Sequence, residues 1–299
     1  MRIAVAGSAG LIGSALVDTL RGSGHTVIRL VRRQVRADDE HYWDPETFGV
    51  DPRTLDGVGA VVGLGGVGIG DHRWSGRFKQ EIRDSRITPT EVLAEAVAEA
   101  GVPVFVSASA TGYYGDTGAH AAVETDPAGT GFLADVVRDW EDAATSVAGA
   151  GTNVVLLRTA PVISSRGGLI GKLTPLFRMG LGATFGAGDQ YFSWITLPDE
   201  VAAIVTILEN SLTDNKITGP VNLCAPNPVR FTDFAKALGS ALHRPARLVV
   251  PDFVVRRLGG EMAEEMILHS QRVVPQVLTD AGFTFTHPDI DSALEYASA

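Results

Sequence analysis

The sequence predicts an α/β protein built on a doubly wound parallel sheet, and three observations predict it. Short apolar runs alternate with amphipathic helical stretches through the first half of the chain. The run at 102–107 is continuous in Val and Phe, the pattern of a strand covered on both faces. Three glycines, Gly7, Gly10 and Gly13, sit where the first apolar run ends and the first helical stretch begins.

Taken in order, residues 3–6 predict a strand, 11–21 an amphipathic helix and 26–31 a second strand. Residues 60–64 form a third apolar run bounded by glycines. The helical pattern of 78–100 contains Pro89, which predicts a break near Thr88, because proline lacks the amide proton and clashes with the preceding turn. A strand at 102–107, a helix at 133–148 and a strand at 153–159 complete a βαβα order, which packs as a parallel sheet between helices. Residues 164–188, rich in glycine and holding Pro175, predict a long irregular excursion. Beyond it the pattern gives a helix at 198–209, a strand at 221–223 and a helix at 231–243 with Thr232 and Asp233 as caps. A strand at 248–250 follows, and 262–278 mixes helical spacing with Pro275. The division expected is a nucleotide-binding domain over 1–165, also using 190–215, and a smaller C-terminal α/β substrate lobe over 166–299.

Composition narrows the function classes. With 299 residues, 45% hydrophobic and 20% charged, the chain can bury a sizeable core. A net charge of −10 without basic blocks argues against nucleic acid or anionic membrane as partner. Any anion must be held by local charge. The single cysteine, Cys224, excludes an internal disulfide, and the histidines show no metal-binding spacing. The first apolar run is too short for a signal peptide, and none reaches the roughly 20 residues that span a bilayer. The cytoplasm is the expected location.

The segment Gly7-Ser8-Ala9-Gly10-Leu11-Ile12-Gly13 is the phosphate loop of a Rossmann-type fold. Its glycines allow a tight turn, close approach of backbone to a pyrophosphate, and close packing of helix on strand. Free amides and the helix dipole favour the anion. An acidic residue about 20 positions on would bind the ribose 2′-hydroxyl of NAD. Here Arg32 and Arg33 stand at the end of the second strand, with no carboxylate before Asp38. The missing acid and the added base both favour NADP(H).

These residues resemble a known family. The phosphate loop, the run Val61-Val62-Gly63-Leu64-Gly65-Gly66 and the stretch from Ser107 through Ser109, Thr111, Tyr113 and Tyr114 to Gly115 look like the extended short-chain dehydrogenase/reductase superfamily. More narrowly, the chain resembles its "epimerase family protein" branch, sometimes labelled nucleoside-diphosphate-sugar epimerase. Arg73-Trp74, Ser85-Arg86, Trp140-Glu141, the stretch from Gly186 to Gln190, Ser193-Trp194-Ile195, the stretch from Ser270 to Pro275 and Ala281-Gly282-Phe283 carry that likeness. Gly63, Thr196 and Pro198 depart from the branch, which has Asn, His and Asp there. The resemblance implies an oxidoreductase or epimerase-like enzyme on a small polar substrate, a nucleotide sugar among the candidates. It implies cofactor contacts from Leu64, Gly65, Gly66 and Ser107, and substrate contacts from Tyr114, Gln190 and Trp194.

The same superfamily works with a Ser or Thr, a Tyr that moves a proton, and a Lys that tunes it. Ser109 or Thr111 fits the hydroxyl role, at the carboxyl end of the 102–107 strand. The Tyr and Lys positions, counted back from Glu141, hold Leu133 and Val137, and no lysine lies between Lys79 and Lys172. Tyr113 and Tyr114, on the preceding loop, are candidates to carry the proton, as are Asp135 and Arg138 on the helix, which alternatively form a solvated helix face. Arg158 either touches an anionic ligand or forms a structural pair. The missing pair also admits a non-catalytic NADP(H)-binding sensor or regulatory protein.

Overall fold

A computed structural model describes residues 1–146, 151–211, 213 and 216–298. In chain order its elements are β1 (Arg2–Ala6), α1 (Leu11–Gly22), β2 (Thr26–Val31), β3 (Glu40–Asp44), β4 (Gly49–Val50), β5 (Ala60–Gly63), α2 (Gly76–Glu99) and β6 (Val104–Ala110). Then come α3 (Phe132–Thr145), β7 (Asn153–Thr159), β8 (Val162–Ser164), α4 (Gly168–Arg178), β9 (Gly182–Phe185), β10 (Tyr191–Phe192), β11 (Ile195–Thr196) and α5 (Leu197–Asn210). The chain closes with β12 (Gly219–Leu223), β13 (Val229–Arg230), α6 (Phe231–Ala241), β14 (Ala246–Val250), α7 (Asp252–Ala263), α8 (Gln276–Asp280) and α9 (Ile290–Ser298). A short π-helical turn at Glu264–Leu268 follows α7.

The central sheet has eight strands in the order β12-β7-β6-β5-β1-β2-β3-β4. Strands β6, β5, β1, β2 and β3 pair in parallel, and β4 turns back antiparallel on β3. The Rossmann-type expectation therefore holds. The order reverses between β1 and β5, so the carboxyl ends of those two strands form the crevice where such sheets bind ligands.

Two compact units share the chain: Met1–Ser109 with Val136–Leu157 and Val201–Val221, and Ala110–Asp135 with Arg158–Glu200 and Asn222–Ala299. The first unit has a core of Ala4, Ile28, Leu30, Val61, Leu93, Val97, Phe105 and Leu156, all nearly inaccessible. In the second, Ile163, Phe177, Trp194, Phe234, Leu238 and Leu294 pack together.

Several expectations need correction. Helix α2 continues through Pro89 rather than ending near Thr88. Proline costs a helix about 3 kcal/mol, but Ile82, Leu93, Ala94 and Val97 on this helix are buried, and each large apolar side chain returns about 1.5–3 kcal/mol. Trp140 adds a hydrogen bond from Nε1 to Thr90 Oγ1 at 2.8 Å, one residue past the proline. The supposed irregular excursion at 164–188 contains α4 and β9, with Ile170 and Phe177 as buried anchors. Arg230, not Thr232 or Asp233, precedes α6 as its cap, and the Thr232 hydroxyl donates instead to Gly188 O at 2.9 Å. Strands β3 and β4 carry too few apolar residues to show in the pattern. The expected end of the third helix at 148 lies outside the described residues.

Candidate functional site

The first unit builds its site around the turn from β1 into α1. Gly7 has φ +78°, and a Cβ there would lie 2.8 Å from the Leu64 carbonyl of the neighbouring β5 loop. A Cβ on Gly13 would fall 2.2 Å from Gly7 O, so the helix presses directly on the turn. The backbone closes with Gly10 N–H donating to Gly7 O at 3.0 Å, and the first helical bond runs from Ser14 N–H to Gly10 O. The amides of Leu11, Ile12 and Gly13 thus have no intrahelical partner. Among the described residues no side chain caps this end, whereas α2 is capped by Ser75 Oγ, which accepts from Phe78 N–H at 3.2 Å. Ser8 is buried and Ala9 exposed. An uncapped helix start beside a glycine turn, at the reversal point of the sheet, is a cradle for a phosphate.

At the end of β2 the two arginines have different partners. Arg33 grips Glu40 with two hydrogen bonds of 2.8 and 2.6 Å. That grip, with a further bond from Arg36 N–H, holds the Glu40 carboxyl down at about 2. Arg29 pairs with Asp39 at 2.7 Å and reaches Glu40 at 3.0 Å, and Arg21 also pairs with Asp39. Asp39 and Glu40 are therefore both already paired with arginine. Arg32 is exposed and has no ion pair among the described residues. A 2′-phosphate fits that arrangement, with Asp44 the acid that Arg32 feels electrostatically.

The loop after β5 holds Leu64, Gly65 and Gly66, and Leu64 N–H donates to Ala6 O at 3.0 Å. Ser107 on β6 is 1% exposed and donates to Ala108 O. Ser109 Oγ donates to Glu141 Oε1 at 2.6 Å, inside the unit. That acceptor was legible only as half of the Trp140-Glu141 motif.

The second unit collects the remaining candidates. Thr111 Oγ1 donates to Gln271 at 3.3 Å. Tyr114 Oη donates to Asn222 Oδ1 at 2.7 Å and accepts from Arg158 Nη1 at 2.9 Å. Burial pushes this phenol up to about 12 against the opposing pull of Arg158. Arg158 is 3% exposed, donates also to Glu124 O, and lies 3.5 Å from the Tyr113 ring centroid. Its guanidinium is thus committed to a packed network within the unit. Among the described residues the Tyr113 hydroxyl has no hydrogen-bond partner. Gln190 Nε2 donates to Phe185 O and Ile267 O, and Trp194 is fully buried in the core. Sequence reasoning missed Glu265: both its oxygens accept from the first amides of α3, Phe132 and Leu133, at 2.8 Å each. No spacing signal in the sequence links positions so far apart. Among the described residues no cluster of His, Cys, Asp and Glu is placed to hold a metal ion, and no helix is long and apolar enough to cross a membrane.

Residues 3–223 match the model of the NAD dependent epimerase/dehydratase family, and residues 250–297 match a domain of unknown function, DUF1731. The chain belongs to the NAD dependent epimerase/dehydratase family. The epimerase family protein Mb2239 of Mycobacterium bovis is 50% identical over 99% of this chain and 97% of its own length. A crystal structure of human epimerase family protein SDR39U1 with NADPH superposes with a TM-score of 0.89 at 30% identity, covering 100% of this chain and 99% of that one. A nucleoside-diphosphate sugar epimerase structure from Corynebacterium glutamicum gives 0.81 at 34% identity, with this chain spanning 58% of it. Of the two positions expected for the Tyr and Lys, Leu133 and Val137, the second is 3% exposed in the core.

Proposed function

We propose that this chain is a cytoplasmic NADP(H)-dependent oxidoreductase or epimerase-like enzyme acting on a small polar substrate. The observation that carries the cofactor is the pairing of an uncapped, glycine-cradled helix start with an unpaired Arg32 beside carboxylates already paired with arginine. The amides of Leu11, Ile12 and Gly13 would hold the pyrophosphate, and Arg32 the 2′-phosphate. The nicotinamide, when bound, supplies or accepts a hydride. NADPH in the human relative's structure is consistent with this choice.

Proton movement on this chain falls to Tyr113, whose hydroxyl is unengaged among the described residues, while Ser109, its one proton donated to Glu141, is left only as an acceptor. Tyr114 is poorly suited, since its hydroxyl is occupied on both sides and hard to ionise. The apolar Leu133 and Val137 favour simple carbonyl reduction over full epimerisation, which needs proton exchange in both directions.

Titration of wild type and Arg32→Ala with NADPH and NADH tests the cofactor. Wild type should prefer NADPH, and the variant should lose about tenfold for NADPH while NADH binding is unchanged. Equal wild-type affinities would refute the assignment. A panel of carbonyls and nucleotide sugars with NADPH, run on wild type and Tyr113→Phe, tests the chemistry. Binding without turnover on any substrate would favour a cofactor-sensing protein, the reading that the missing Tyr and Lys support.

A further inference from the structure

Ser85 and Arg86 stand side by side on α2, and neither belongs to the phosphate loop or to the hydroxyl set. Both close on one residue, Val67: Ser85 on its N–H and Arg86 on its carbonyl. Ser85 Oγ accepts from Val67 N–H at 3.3 Å, and Arg86 Nη2 donates to Val67 O at 2.9 Å. The second arm of the guanidinium, Nη1, donates to Ile82 O at 2.9 Å one turn back on the same helix. The fork therefore ties the loop after β5 to the helix behind it.

The rest of that loop fits against the same side chain. A Cβ on Gly66, where φ is +155°, would lie 3.2 Å from Arg86 Cζ and 3.4 Å from Nη1, so glycine lets the backbone lie flat on the guanidinium. On the other side, the Leu64 carbonyl touches the Gly7 turn, as the 2.8 Å approach to a Cβ on Gly7 shows. The strip from Leu64 to Val67 is thus held between the phosphate turn and Arg86. Trp140 backs the guanidinium, with its ring centroid 5.4 Å from Cζ. Among the described residues, every acceptor that the group hydrogen-bonds is a neutral carbonyl or hydroxyl. A half-buried arginine with no carboxylate at its fork is unusual, because desolvating a charge is normally offset by an opposite one. Its pKa falls to about 10 through burial, which leaves it fully protonated near neutrality.

We propose that Arg86, helped by Ser85, is a positioning residue for the dinucleotide: it fixes the Leu64–Gly66 backbone against the phosphate turn in the shape that receives the cofactor. This rests on the cofactor reading above. Because it acts on the loop and not on the 2′-phosphate, it should serve NADPH and NADH alike, the opposite of Arg32. Lysine at 86 retains one donor for Val67 O but cannot also span to Ile82 O, and methionine retains neither.

The test uses the full-length protein: wild type, Arg86→Lys, Arg86→Met and Ser85→Ala, titrated with NADPH and NADH well below each variant's melting temperature. Amide exchange of residues 64–67 is followed without cofactor. Arg86→Met should raise Kd for both dinucleotides by the same factor, about tenfold or more, and speed exchange across the loop. Arg86→Lys should recover part of each loss, and Ser85→Ala should cost about threefold. A lowered melting temperature with unchanged Kd in Arg86→Met would overturn the role and leave Arg86 a fold-stabilising residue. A loss confined to NADPH would also overturn it. If wild type binds neither dinucleotide, the cofactor reading itself falls, a result distinguishable from failure at Arg86 alone.

Discussion

Glu200 lies at the start of α5, wholly buried; among the described residues its side chain has one hydrogen bond, from Thr159 Oγ1 to Oε1 at 2.9 Å, and Oε2 has no partner. Burial raises its pKa from 4.5 to about 8, with Thr159 pulling weakly the other way. The folded protein therefore holds a proton that the unfolded chain releases above its ordinary value. Where the folded state binds the extra proton, stability falls as pH rises. The contribution is undiminished below about 4.5, declines across the interval, and is lost above about 8. At ~1.4 kcal/mol per tenfold, the whole interval is on the order of 5 kcal/mol. Glu200→Gln mimics the neutral acid and cannot ionise. Urea unfolding at pH 5, 7 and 9 for both proteins isolates the effect, because every other titrating group is common to them. Wild-type stability should drop relative to the variant by several kcal/mol between pH 5 and 9. Parallel curves would show that Glu200 is ionised in the folded state, through water or rearrangement, and would refute the reasoning.

The other expectations concern the turn and the helix caps. Gly10→Val should fold, since a Cβ there meets only Gly7 O at an ordinary 3.4 Å, yet block the pyrophosphate; circular dichroism with NADPH titration separates the two effects. Gly13→Val should disturb the turn itself, because the added atoms strike backbone at 2.2 Å, so both signals should suffer. Glu265→Ala strips two α3 amides of their acceptor and should cost about 1–3 kcal/mol, read as a melting temperature lower by several degrees.

The parallel sheet and phosphate loop were legible because each is written locally: a run of Val and Ile, then glycines at fixed offsets. Arg32 and Arg33 were legible as a pair, but their different roles were not. That difference depends on Glu40, which β3 brings beside β2 by parallel pairing of Arg29 with Glu40. The path of α2 through Pro89 was hidden for the same reason, since the burial that outweighs the proline comes from other elements. Tyr114 read as a proton carrier because its strand-end position is visible in sequence. Asn222, which occupies its hydroxyl, stands 108 residues away. Leu133 and Val137 were the clearest local signal, a substitution at two expected positions.

The capping of α3 by Glu265 also sets a clock. The amide of Phe132 and the carboxylate that receives it are separated by 133 residues. A helix of this length forms in about a microsecond once favoured, but at roughly 5–20 residues per second a ribosome takes on the order of 10 s to deliver the missing cap. Throughout that interval the first turn of α3 has two amides open to water or to any passing anion. The final form of the start of α3 is therefore not set when that segment is made. It is set by the arrival of the carboxyl-terminal domain.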